Sequence, residues 1–188
     1  MKNKPPPGPT GLDLIQLQAS FNAAALLAYP TEAVWGLGCN PNNDAALQRL
    51  LRLKQRPWQK GLVVVAADFS QLQPWLLPLA AADEARVLAS WPGPVTWALP
   101  CQPDVSRWLR GEHDTLAVRV SAHPVVQQLC RQLGPLVSTS ANPAGEAPAR
   151  TLAQVQQYFG TAVTYAHGDV GGRILPSEIR TLDGRRVR

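Results

Sequence analysis

Gly61-Leu62-Val63-Val64-Val65-Ala66-Ala67 carries no polar side chain, and its centre is three consecutive β-branched residues. A strand with one wet face alternates apolar and polar side chains. An unbroken run of this kind suits a strand covered on both faces. On its upstream side, Asn42 or Asn43 can cap a helix that carries Ala46, Leu47, Leu50 and Leu51 on one face. Pro57 is expected to close that helix, because a proline pushes the residue before it out of helical dihedrals. Further upstream, Leu12–Leu27 has the apolar spacing of an amphipathic helix and runs into a short buried strand near Ala28–Tyr29. Downstream, strands are expected at Val95–Leu99, Leu116–Val120, Leu136–Ser138 and Val163–Ala166, with helices at Asp83–Ser90, His123–Leu133 and Thr151–Phe159. Glu178–Arg188 reads as a hairpin around Asp183–Gly184, a type I′ turn pair. Strands separated by helices argue for one layered α/β domain around a mixed sheet.

The chain has 188 residues, 45% of them hydrophobic, which is enough for one domain with a sizeable core. Met1–Gly11 (MKNKPPPGPTG) is too rich in proline and polar residues for a signal peptide. It reads as a flexible tail, leaving 12–188 as the folded domain. No apolar run reaches membrane-spanning length, so a cytoplasmic protein is expected. The formal charge of +5 points to anionic partners such as a nucleotide or RNA. Cys39, Cys101 and Cys130 are odd in number and form no CxxC pair, so neither a disulfide framework nor a zinc ribbon is supported.

Five segments are stranger than a core requires. Tyr29-Pro30-Thr31-Glu32-Ala33-Val34-Trp35-Gly36-Leu37-Gly38 ends a strand at a proline and offers a hydroxyl and a carboxylate. Its two glycines then allow backbone to approach backbone or ligand, although Thr31 can equally serve as a simple helix cap. Lys54, Arg56 and Lys60 gather at a helix end and its loop, where cations can converge on polyphosphate or merely complement the helix dipole. Thr115, Ala117 and Arg119 share one face of a strand. A charge in that setting calls for an anionic partner, either a ligand or a protein acid. Ser138-Thr139-Ser140-Ala141-Asn142-Pro143 clusters short donor-acceptors at a strand end, suited to cradling a polar ligand or to an ordinary turn. Ser177 and Arg188 add a late hydroxyl and cation.

Other chemistries find little support. There is no GxxxxGK[ST], complete GxGxxG or GxSxG. His113, His123 and His167 are scattered without ligand spacing and read as surface or capping residues.

Six stretches, YPTEAVWGLGC, LKQRPWQKGL, WPGPVTWALP, LAVRVSAHP, PLVSTSANPAG and PSEIR, stand in an order that resembles the YrdC family in its short bacterial TsaC form. The resemblance covers the chain from about Leu12 to Arg188. It implies a three-layer α/β domain whose twisted mixed sheet encloses a basic concave cavity. It also implies synthesis of threonylcarbamoyl-AMP and pyrophosphate from L-threonine, bicarbonate or CO₂, and ATP, the first step of threonylcarbamoyl-adenosine modification of tRNA. Mg²⁺ would enter with ATP as part of the substrate, with no tightly bound cofactor and no metal ligand from a protein side chain. Carried over by position, Lys54 and Arg56 become the catalytic cations. The nucleotide would meet Lys54, Arg56, Lys60, Thr115, Ser140, Asn142 and Arg188, while Thr31, Arg119, Ser138 and Ser177 would hold threonine. A separate transfer complex would accept the product, and tRNA is a possible direct partner.

The chain departs from the family pattern at Ala33, where a second threonine is common, and at Val65, where some members have histidine. Two rival readings remain at this level. One is a non-catalytic module that binds double-stranded RNA or tRNA, or serves ribosome maturation, through the same basic surface. The other is a carbamoyl-transfer domain of the hydrogenase-maturation kind, which normally sits in longer chains with cysteine pairs.

Overall fold

The computed structural model describes residues 14–187, so the expected tail Met1–Gly11 and the terminal Arg188 lie outside the described residues. Helix α1 (Leu14–Asn22) is shorter than its apolar spacing suggests, because Ala24 turns the chain at a φ of 67° and Leu27–Pro30 is taken into strand β1. Strand β2 (Trp35–Gly38) follows and pairs antiparallel with β1. This second arm of a hairpin was hidden in the sequence behind its two glycines. Helix α2 (Asp44–Lys54) is capped by Asn43, whose side chain accepts from Ala46 N at 3.1 Å. Pro57 does not close it. The helix ends at Gln55, which takes the left-handed conformation at φ 52° and returns its N–H to Arg52 and Leu51.

The remaining elements are β3 (Val63–Ala66), α3 (Ala81–Leu88), β4 (Val95–Pro100), the single turn α4 (Arg107–Arg110) and β5 (Thr115–Val120). After them come α5 (Pro124–Leu133), β6 (Leu136–Ser140), α6 (Leu152–Phe159), β7 (Thr164–Tyr165) and β8 (Glu178–Thr181). The strands form one mixed sheet in the order β7-β1-β2-β6-β3-β5-β4-β8. Of the expected hairpin, the described residues 178–187 do fold back on themselves, with Arg180 bridged to Arg186, but the turn is not type I′. That geometry needs positive φ at both central residues, and of Asp183 and Gly184 only the glycine has it, at 85°.

Alternation along β3 explains the three layers. Val64 and Ala66 join a core with Leu47, Leu50 and Leu51 of α2, Val87 of α3, Leu109 of α4 and Val155 of α6. Val65 and Ala67 point the other way, into a smaller core with Phe21 of α1 and Val126, Leu129, Cys130 and Leu133 of α5. Both faces of the run are thus buried, as its composition requires. The second core covers only part of its face. Beyond Val65 and Leu136 the same face carries Val63, Ala117, Ser138 and Gly36, and there a cavity opens. Cys39, Cys101 and Cys130 are all buried free thiols.

Candidate active site

The cavity measures about 230 Å³ and opens to solvent on one side. Pockets that enclose a drug-sized ligand usually hold roughly 300–1,000 Å³, so a nucleotide-sized ligand here would extend into the open mouth. The cavity is walled by Arg56, Lys60, Arg119 and Arg173 against a single carboxylate, Glu32. That imbalance makes it a site for anions.

Each wall has a local cause. In the Pro30–Trp35 turn, Thr31 Oγ1 donates to Val34 O at 2.7 Å, and Thr31 N bonds the same oxygen at 3.1 Å. The hydroxyl thus closes a tight turn inside a hairpin and caps no helix. At the other end of the hairpin, β2 lies close against β6 because Gly38 carries no side chain: a Cβ there would sit 1.9 Å from Val137 O. Behind it, Tyr29 is fully buried and donates to Val137 O at 2.8 Å. Burial pushes its phenol well above the ordinary range.

On the opposite side, Arg56 donates to Gly61 O from Nη2 at 2.9 Å and from Nε at 3.3 Å, which holds the guanidinium along the rim. Gly61 takes φ 61°, and an added Cβ would meet Arg110 O at 2.8 Å, so only glycine lets this loop lie on α4. Lys60 stands exposed beside it.

Lys54 is 5% exposed and does not line the cavity. Its ammonium is turned under the Ser140–Asn142 loop, donating to Ser140 O and to Asn142 O, the latter at 2.7 Å. Burial, helped by Arg56, lowers its pKa to about 8. Asn142 Nδ2 closes the same loop through Pro143 O at 3.0 Å and Glu146 O at 2.8 Å. Asn142 also lies outside the lining.

On the floor, Arg119 Nη1 lies 2.9 Å from Glu32 Oε2. The protein-acid alternative for Arg119 is therefore realised, while the residue still lines the cavity. Burial pushes the Glu32 carboxyl up, but Arg119 and the Ser121 hydroxyl outweigh it and hold the group below the ordinary carboxylate range. Ser177 Oγ accepts from Thr96 Oγ1 at 3.0 Å at the edge where β8 begins.

Of the residues singled out from sequence, Thr31, Arg56, Lys60, Arg119, Ser138, Ser140 and Ser177 meet around one cavity. Thr115 shares the strand face of Ala117 and Arg119, but the cavity stops short of it. Two charged residues were missed as site members. Glu32 was legible as the acid that a strand arginine demands. Arg173 had no such signal; it arrives on the segment between β7 and β8, which is tied down by Gly171 N to Thr31 O and Arg173 N to Glu32 O, both 2.9 Å. The reading of His123 as a surface or capping side chain needs correction. This strap covers it, leaving it 5% exposed with Nε2 3.1 Å from Asp169 O and no side-chain bond to the helix start. Burial lowers its pKa.

The Sua5/YciO/YrdC family model, described as "Telomere recombination", matches residues 20–188. The chain is 55% identical over 167 residues to a threonylcarbamoyl-AMP synthase of Serratia proteamaculans, spanning 87% of this chain and 88% of that protein. It is 57% identical over 165 residues to the protein of the same name from Chromohalobacter salexigens, spanning 87% and 89%. Among solved structures, P. abyssi Sua5 complexed with L-threonine superposes with a TM-score of 0.80 at 28% identity. That match covers 92% of this chain but only 52% of the longer Sua5 chain.

Proposed function

Since the chain belongs to the Sua5/YciO/YrdC family, we propose that its cavity joins L-threonine, bicarbonate and ATP into threonylcarbamoyl-AMP with release of pyrophosphate. The observation that carries this reading is the meeting of three cations and a set of hydroxyls over one buried arginine, in a chain more than half identical to synthases of that name.

Threonine lies on the floor, its carboxylate at Arg119 and its polar groups near Thr31, Ser138 and Ser177. Its amine attacks CO₂, or bicarbonate with loss of water, and gives up a proton to form the carbamate. A carbamate oxygen then bonds to the α-phosphorus of ATP, and the bond from that phosphorus to the bridging oxygen breaks. Pyrophosphate leaves with the electron pair. Both reactants are anions, so the step requires fixed positive charge in place before reaction. Arg56, Lys60 and Arg173 supply it at the mouth, where the phosphates extend. Ser140 is the loop's contact with the nucleotide. Lys54 contributes its charge from behind that loop, with Asn142 shaping it. Thr115 and Arg188 remain candidates for the outer part of the nucleotide site.

Mg²⁺ enters on the ATP phosphates as part of the substrate. Among the described residues no cluster of three His, Cys, Asp or Glu side chains is placed to hold a metal ion. No helix among the described residues is long and apolar enough to cross a membrane. The product, a reactive mixed anhydride, passes to a separate complex that acts on tRNA.

The test is pyrophosphate release with labelled bicarbonate. Release should require threonine, bicarbonate and ATP together, and Arg56→Ala should lower it by about 10²–10³-fold, the usual cost of losing one preorganised donor to developing charge. Release that ignores the amino acid, or an Arg56→Ala variant at the wild-type rate, would refute the reading.

A further inference from the structure

Glu32 is the sole acid among the described residues that line the cavity, and the reaction as written gives it no part. Its two carboxylate oxygens are engaged by protein groups. Oε1 accepts from Ser121 Oγ at 2.7 Å and from Ala122 N at 3.1 Å. Oε2 is buried and lies 2.9 Å from Arg119 Nη1. Ser121 is itself fully buried, and its hydroxyl accepts from His123 N at 3.1 Å. The main chain of Glu32 is pinned too, through Arg173 N to its carbonyl. Two groups just past β5 thus hold the carboxylate through Oε1, the strap holds the main chain, and Oε2 is left for Arg119.

Arg119 needs such a restraint. A guanidinium carries five N–H donors, and here the Nε is buried without an acceptor. An arginine side chain has many rotamers to lose when a ligand orders it. Fixing it beforehand moves that cost out of the binding step.

We propose that Glu32 is a positioning residue for the amino-acid subsite: it holds the Arg119 guanidinium in the orientation that receives the substrate carboxylate, without touching the substrate. The inference rests on the assignment of Arg119 to that carboxylate. Electrostatics alone predicts the opposite sign. Glu32 is a negative charge beside the proposed carboxylate site, so if charge were its only effect, removing it would tighten threonine binding. Positioning predicts weaker binding.

Glu32→Gln separates the two. If the amide oxygen keeps the bonds from Ser121 Oγ and Ala122 N, its NH₂ end, a donor, faces the Arg119 guanidinium and the ion pair is lost. In the full chain, the threonine KM should rise by about ten- to a hundredfold, the scale of a lost charge-assisted contact. kcat and the ATP KM should stay within about threefold. Adding Glu32→Gln to an Arg119→Lys background should change the threonine KM by less than about threefold, because coupled residues do not add. Ser121→Ala, which removes one of the two bonds to Oε1 but keeps the charge, should raise the threonine KM by a smaller factor and serves if Glu32→Gln fails to fold. A threonine KM that is unchanged or lowered overturns the inference, as do threonine and ATP KM values that rise together. Wild-type protein with no threonine-dependent pyrophosphate release sinks the functional reading, and this inference with it. Wild-type activity with an indifferent Glu32→Gln and Ser121→Ala sinks the inference alone.

Discussion

Replacing Lys54 by methionine removes a buried charge and two hydrogen bonds in one step, and the two effects on stability oppose each other. Lys54 is held at a pKa of about 8, against 10.5 for an ordinary lysine. That gap corresponds to about 3 kcal/mol of cost to the folded state at neutral pH. Against it stand the bonds to Ser140 O and Asn142 O, worth about 1.5–3 kcal/mol each because the donor is charged. Lys54→Met therefore relieves about 3 kcal/mol and forfeits roughly 3–6, a net loss of about 0–3 kcal/mol. Activity should suffer far more than stability, because the loop bearing Ser140 and one of the site's cations are lost together. A fall of about 10²–10³-fold in pyrophosphate release is expected. The pH dependence has a definite sign. A lysine whose folded pKa is depressed binds fewer protons folded than unfolded between about 8 and 10.5, so its cost fades as pH rises through that window. Urea unfolding should show the wild type gaining on Lys54→Met between pH 7 and 10.5. Activity within about threefold of wild type, or a destabilisation beyond about 5 kcal/mol at pH 7, would refute this account of Lys54 as a costly but functional charge.

Two further outcomes follow from the same geometry. Gly38→Ala forces a Cβ to within 1.9 Å of Val137 O, where β2 lies against β6, and should cost about 3 kcal/mol or more in urea unfolding. Gly36→Ala meets only the Tyr29 and Thr31 side chains at 3.0–3.1 Å and should cost clearly less. His123 is held neutral by burial, with its pKa below the ordinary value, so the unfolded chain takes up the proton first as pH falls. Wild type should therefore lose stability relative to His123→Gln between about pH 7 and 5, and parallel pH–stability curves for the two would count against a buried neutral imidazole.

Most of the elements were legible because their signals are local. The valine run of β3 and the Asn43 cap and apolar face of α2 each declare themselves within a few residues, and the structure keeps them nearly where expected. Failures came where a contact distant in sequence decided the outcome. β2 contains two glycines and has weak strand propensity, yet it is a strand because it pairs with both β1 and β6, and at position 38 only a glycine fits beside Val137 O. Pro57 marks a stop for α2 in the sequence, but Gln55 turns the chain left-handed before it.

The candidate site divides in the same way. Residue chemistry alone pointed to anionic partners and left a structural alternative at each segment, whereas the resemblance carried by six ordered motifs identified the family and most of the residues that meet at the cavity. What sequence could not say is which way each side chain faces. Lys54 and Arg56 stand two residues apart at the end of one helix, and the left-handed turn at Gln55 sends the first beneath the Ser140 loop and the second onto the rim. Likewise a strand arginine announces that it needs an anion, but only the fold brings Glu32 across to Arg119. Residue type sets what a group can bind, whereas the direction of a side chain depends on backbone packed from distant parts of the chain, and only tertiary structure holds that information.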